Sequence, residues 1–274
     1  MMAKARLGRI AYLNVLPIYF AMEQIFGENG FHLVRGTPAE LNGLMRRGEV
    51  DLGSISAMEY GRAWRDYLLL PDLSISSRGA VGSVLLFSRA PFSRLDGRPI
   101  RVSAASASGA ALVKVLLTEL FGVSPCYQSG QASAPLGDCA AVLAIGDEAL
   151  KLSAAGIMPF ELDLGEAWQE LTGLPFVFGV WAVRRDFAGA EPAATAALHR
   201  LLIRSRDWGL KSLTELSRIA AASFSMTPAQ IRAYFRRLNY FLEADHQEGL
   251  ATFFHYLYKL GELEEEPRLE YFGG

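Results

Sequence analysis

The stretch Arg9-Ile10-Ala11-Tyr12-Leu13-Asn14-Val15-Leu16-Pro17 decides the fold. Arg9 to Leu16 reads as a strand, Pro17 stops it, and a helix follows through Ile18 to Phe26. After a turn at Gly27 to Gly30, Phe31 to Arg35 alternates as a second strand. Thr37-Pro38-Ala39-Glu40 then starts a helix: a Thr cap, Pro at the first helical position, and Glu three residues after the cap. Leu41, Leu44 and Met45 give that helix one apolar face, Gly48 ends it, and Val50 to Ile55 is a third strand. A βαβαβ order argues for a parallel sheet with crossover helices. Ligands of such sheets bind at the carboxyl ends of the strands, which is where Asn14 falls. Asn before a helix also caps it well, so on this stretch alone Asn14 reads equally as a turn residue.

A second α/β unit follows. Its elements are a strand at Ile100 to Ser103, a helix from Gly109 to Phe121, a strand at Pro125 to Gln128, a buried strand at Ala140 to Ile145, and a helix from Asp147 to Ala155. Phe176 to Val183 is a further apolar strand, and the remainder is helical over about 193–224, 227–238 and 245–260. Glu262 to Glu266 is a charge run that reads as solvated or frayed. A chain of 274 residues suits one large α/β unit or two lobes. The order of elements favours two lobes with a double hinge crossover and a helical C-terminal region. Lobe one would hold residues 1–88 and 180–274, and lobe two the inserted residues 89–179. Gly82 to Phe87 and Phe176 to Val183 are the expected hinge strands, and the cleft between the lobes is the expected ligand site.

Bulk properties exclude several classes. Apolar residues make up 51 % and charged residues 20 %, an ordinary globular balance. Basic and acidic residues number 27 and 29, so no net field draws the chain to nucleic acid or to a membrane. Lys4, Arg6 and Arg9 before an apolar stretch imitate a secretory signal, but Asn14 and Pro17 break it, and the chain reads as cytoplasmic. Cys126 and Cys139 are lone thiols, and His32, His199, His246 and His255 are scattered, so no metal site is expected. No phosphate-binding loop, nucleophile elbow or zinc-protease motif occurs. The arginine-rich helices (Arg200, Arg204 and Arg206; Arg232, Arg236 and Arg237) read as solvated faces.

Serines cluster where strands should end. Ser54 and Ser56 follow the third strand, and Ser74, Ser76, Ser77 and Ser83 flank the first crossover. Ser103 to Gly109 joins a strand to a helix, where unpaired N–H groups and hydroxyls can hold a carboxylate. Helix capping by Ser106 or Ser108 uses the same groups. Asp147 reads as an N-cap, with Gly146 allowing close approach of a ligand, and Asp163 to Trp168 reads as a turn and helix start.

Several segments now align in order: Tyr12-Leu13-Asn14-x-x-Pro17, Gly48-Glu49-Val50-Asp51, Ser54-Ile55-Ser56-x-x-Glu59-Tyr60, Leu70 to Ser77, Ser83 to Ser88, Ile145 to Leu150 and Asp163 to Trp168. This ordered set resembles the chorismate dehydratase family of the futalosine route to menaquinone, from about residue 9 to residue 185. Ala105 to Ser108 departs from the family pattern in being richer in alanine. The resemblance implies a type 2 periplasmic-binding-protein fold used as an enzyme. It also implies loss of water from chorismate to give 3-[(1-carboxyvinyl)oxy]benzoate, with no cofactor. Asn14 matches the family's asparagine and is the candidate catalytic contact; Ser56, Ser83, Ser106, Ser108, Gly109 and Asp147 are the candidate substrate-binding residues. A homodimer stays open. Two rivals share the architecture: a solute-binding or sensor protein, and the sister enzyme that cyclises dehypoxanthine futalosine. For the latter a histidine base is expected in the inserted lobe, and residues 89–178 contain none.

Overall fold

A computed structural model describes residues 5–27, 30–103, 106–156, 158–224 and 226–274. The first part of the chain runs β1 (Ala5–Ile10), α1 (Leu16–Ala21), β2 (Phe31–Gly36), α2 (Pro38–Arg46), β3 (Leu52–Ser56), α3 (Ala57–Ala63) and β4 (Tyr67–Ser77). It continues through β5 (Val84–Ser88), β6 (Pro99–Ser103), α4 (Ala107–Phe121), β7 (Cys126–Gly130), β8 (Ala141–Ile145), α5 (Gly146–Ala155) and β9 (Phe160–Asp163). Then come α6 (Leu164–Thr172), β10 (Phe176–Arg184), α7 (Arg185–Ala190), α8 (Pro192–Lys211), α9 (Leu213–Ala221), α10 (Pro228–Arg237) and α11 (Ala244–Lys259).

These strands form two five-stranded sheets of matching design, β2-β1-β3-β10-β4 and β7-β6-β8-β5-β9. In the first, β1 runs parallel to β2 and β3, and β10 is antiparallel to β3 and β4. In the second, β6 runs parallel to β7 and β8, and β5 is antiparallel to β8 and β9. Both sheets are therefore mixed: each takes in a strand that arrives from the other sheet. The chain changes sheet between Ser77 and Val84 and returns between Asp163 and Phe176. The sequence reading places Gly82 to Phe87 in lobe one, whereas β5 pairs with β8 and β9 in the second sheet. Periodicity shows that such a strand is buried but carries no information about its partner.

Three further expectations are corrected, and one strand is added. The first strand stops at Ile10, where β2 runs out: Ile10 faces Gly36, and Ala11 donates the last bond to the Gly36 carbonyl. Leu13–Val15 then form a 3-10 turn, so Asn14 is lifted out of the sheet. The short edge strand β9 escaped notice because four residues carry too little alternation. The C-terminal tail is not frayed. Glu262 meets Lys114 at 2.5 Å, and residues 270–272 pair with Leu69, covering the start of the β4 edge that Asn239 and Tyr240 cover farther along. Arg206 is no solvated residue: it is 3 % exposed, lies 4.1 Å from the Phe241 ring centre, and pairs with Asp72 and Asp207. A helix-surface pattern cannot show which arginine the next segment will cover.

Two capping boxes form as the sequence dictates, Thr37 with Glu40 on α2 and Thr227 with Gln230 on α10. The core is one large cluster that includes Trp168, Trp181, Tyr19 and Phe253, with a smaller cluster around Phe87 and Val142 in the second sheet.

Candidate active site

The carboxyl ends of β1 and β3 from one sheet and of β8 from the other open on one narrow cavity, which the start of α4 also lines. Its walls include Asn14, Ser56, Ser83, Ser106, Ser108 and Asp147, together with Tyr12, Ser54, Phe178 and Tyr234. A wider groove borders it, and Asp147 and Tyr234 line both. The space open to water-sized spheres is about 90 Å³ in the cavity and about 700 Å³ in the groove.

Each wall residue arrives by a local rule. Asn14 sits in the turn between β1 and α1, and its side chain caps neither, since the N-cap of α1 is Val15 and no side-chain cap bond forms there. Its Oδ1 is buried and has no hydrogen-bond partner among the described residues. Asn14 is thus a turn residue, as the sequence also allows, but not a cap, and its buried acceptor is open to a ligand donor. Ser56 caps α3, accepting from the Glu59 N–H at 3.0 Å and from the Asn42 amide at 3.3 Å. Ser106 caps α4 by accepting from the Gly109 N–H at 3.1 Å. Ser108 accepts from the Met58 N–H at 3.0 Å, which ties α4 to α3 across the two sheets. In all three the oxygen acts only as an acceptor among the described residues, which leaves the hydroxyl proton for a ligand.

Gly109 is the candidate that does not reach the cavity wall. Its N–H is engaged by Ser106, and a Cβ there would come within 2.6 Å of that hydroxyl oxygen. Asp147 is no N-cap. Ile145 holds that position on α5, and Gly146 at φ +58° turns the chain so that Asp147 falls inside the first helical turn. Its half-buried carboxyl has no hydrogen-bond partner among the described residues, and burial raises its pKa above the ordinary value against the pull of Lys151. Burial likewise raises Tyr12, with Asp147 and Glu148 adding to the effect.

Tyr234 escaped the sequence reading. Its hydroxyl lies 3.0 Å from that of Ser83, both residues are buried, and the Ser83 carbonyl accepts from the Gly146 N–H at 2.7 Å. Within Ile231, Tyr234 and Phe235 the tyrosine looks like one more core residue of α10; nothing in the helix pattern marks its hydroxyl as facing a cavity. Among the described residues lining the cavity, Asp147 is the only carboxylic acid, and there is no Lys, Arg or His. Recognition of an anion there falls to hydroxyls, an amide, main-chain N–H groups and helix N-termini.

Two sheets joined by a double crossover, with a cleft between them, define a periplasmic-binding-protein-like fold, and solved structures agree. An Archaeoglobus fulgidus protein superposes with a TM-score of 0.76 at 19 % identity, covering 95 % of this chain and 98 % of that one. The periplasmic aliphatic sulphonate binding protein of Escherichia coli gives 0.67 at 13 %, over 97 % and 90 % of the two chains. At these identities the likeness concerns the fold. The sequence itself is more specific. The chain belongs to the menaquinone biosynthesis family, whose pattern matches residues 5–259. It is 33 % identical to a chorismate dehydratase of Thermus thermophilus across 90 % of this chain and 93 % of the relative. A chorismate dehydratase of Campylobacter jejuni is 30 % identical over 62 % and 64 % of the two chains.

Proposed function

We propose that this protein is a chorismate dehydratase, a carbon–oxygen lyase that converts chorismate to 3-[(1-carboxyvinyl)oxy]benzoate and water in menaquinone biosynthesis. Membership of the menaquinone biosynthesis family and the likeness to chorismate dehydratases support this reading. The observation that carries the site is the buried Asn14 Oδ1, without a partner among the described residues, in a cavity walled by hydroxyls from both sheets.

In the reaction the ring loses the C3 proton and the C4 hydroxyl and becomes aromatic. The ring carboxylate activates the C3–H bond, so the enzyme must stabilise developing charge there and hold the leaving hydroxyl in line. Ser106 and the first turn of α4 face Asn14 and Ser56 across the cavity and suit the two carboxylates. The substrate's enolpyruvyl carboxylate takes the C3 proton. Asn14 accepts a hydrogen bond from the C4 hydroxyl, which satisfies its orphaned oxygen. Cys126 and Cys139 are both free thiols, which supports a reducing, cytoplasmic setting.

Incubating purified protein with chorismate and following the aromatic product by NMR tests the assignment. Tight binding without turnover would favour a sensor. Asn14→Asp should abolish most turnover; near-normal rates would remove Asn14 from its role.

A further inference from the structure

We propose that Asp147 is the proton donor to the departing C4 hydroxyl, and that it takes up its proton when the substrate dianion binds; the proposal rests on the dehydratase reading. Three observations converge on it. Asp147 is the only carboxylic acid among the described residues of the cavity wall, and it lines the adjoining groove as well. Its carboxyl is uncommitted, because Ile145 rather than Asp147 caps α5 and no hydrogen bond engages it among the described residues. Its surroundings disfavour charge, with burial the leading cause.

A dianion entering a cavity without a cationic side chain meets this carboxyl as a like charge. The response of lowest free energy is for the carboxylate to bind a proton, as one member of a closely spaced acidic pair does. The groups around Asp147 agree with this. Tyr12 and Tyr234 face it from the β1–α1 turn and α10, and both phenols have raised pKa values, so neither competes as an acid near neutral pH. Glu148 precedes the next turn of α5, and Glu161, Asp163 and Glu166 line the groove behind it. Against these stand Lys151 on α5 and Arg237 on α10, together with the N-terminal end of the α5 dipole. Of these charges Lys151 acts on Asp147 and favours its charged form, burial opposes it, and the two carboxylates of the substrate add the like-charge repulsion that drives proton uptake.

The proton count closes. The C3–H bond breaks, its proton goes to the enolpyruvyl carboxylate, and its electron pair becomes part of the aromatic ring. The C4–O bond breaks, the oxygen takes the proton from Asp147, and water leaves. Asn14 meanwhile accepts the hydrogen already on that oxygen. The Asp147 carboxylate then recovers the proton that the product's side-chain carboxyl gives up, so no net proton is consumed per turnover.

The test compares wild type with Asp147→Asn, which keeps size and shape but cannot donate an acidic proton. Titrating each with the product by calorimetry, in buffers of different ionisation heat near pH 7.5, should show close to one proton taken up by wild type and none by D147N. Turnover of D147N should fall by about 100-fold or more, the range for loss of a positioned acid. Its KM and product affinity should stay the same or improve, because a like charge has gone. Wild-type turnover without proton uptake, or D147N turnover within about threefold of wild type, would overturn the proposal. Absence of turnover in wild type would overturn the dehydratase reading instead. If D147N does not fold, proton uptake by the wild-type protein still decides.

Discussion

Two aspartates stand at strand-to-helix joints of the same sheet, and the molecule uses them in opposite ways. Asp163, between β9 and α6, is the N-cap, and its carboxylate accepts four main-chain N–H groups. Two belong to its own helix, Gly165 at 2.9 Å and Glu166 at 3.3 Å; two belong to the other crossover, Val81 at 3.0 Å and Gly82 at 2.6 Å. One side chain thus pins both passages between the sheets together. Close packing reinforces the pin, since a Cβ at Gly165 would lie 2.5 Å from the Gly79 carbonyl and from the Ser77 hydroxyl. Asp147, in the first turn of α5 after β8, sits two residues beyond the cap Ile145 and engages no main-chain N–H among the described residues. It lines the cavity instead. An acid at a helix start is structural when it holds the cap position and available for chemistry when displaced from it.

Substitutions can break this contrast. The largest effect expected is in Asp147→Asn, whose turnover should drop by about 100-fold or more while the melting temperature stays unchanged; a destabilised D147N would show that Asp147 too is structural. Asp163→Ala should do the reverse. It strips the acceptor from four main-chain donors and should cost about 2 kcal/mol in denaturant unfolding, the range for a lost cap with unpaired donors. Turnover by the fraction that stays folded should fall far less than in D147N, and equal losses would erase the distinction.

Tyr234→Phe sharpens the comparison, because Ser83 is held between the two joints. Gly82 beside it donates to Asp163, and its own carbonyl accepts from Gly146, next to Asp147. The Ser83–Tyr234 pair shares one hydroxyl proton and has a second for the cavity. Removing the phenol should lower kcat/KM about tenfold, worth roughly 1.4 kcal/mol, while product binding still takes up a proton; loss of that uptake would mean Tyr234 and Asp147 act as one unit.

The smallest effect concerns pH. His246 is buried, mainly for which reason its pKa lies below the ordinary 6.5, with Glu243 opposing and Arg78 adding to the shift. The unfolded chain therefore binds a proton that the folded one resists. Stability from this source is present above about pH 6.5 and lost as pH falls through the folded value. The unfolding midpoint of wild type should drop between pH 7 and pH 5 more than that of His246→Gln, and parallel curves would refute this. The Asp147 effect is separate from it, since it appears in turnover and in proton uptake.

Much of the arrangement was legible in the chain. The capping boxes at Thr37 and Thr227, the apolar face of α2 and the buried run at β8 follow from local preference and periodicity. Asn14, Ser56 and Ser106 were also legible as residues following strands, because chain order in an α/β fold fixes which end faces the crevice, whereas Ser83 and Ser108 came from the family resemblance and the helix start. Tyr234, the true cap at Ile145 and the second-sheet pairing of β5 were not.

What the sequence determined by itself was therefore local: where helices start, which runs are buried, and which polar groups stand at strand ends. Tertiary structure alone decided partnership. Whether an aspartate captures N–H groups or faces a cavity depends on backbone that returns from 80 residues away, as Val81 and Gly82 do to Asp163. Hydrogen bonds and burial act over a few ångströms of space, and separation along the chain does not reveal which groups will share that space.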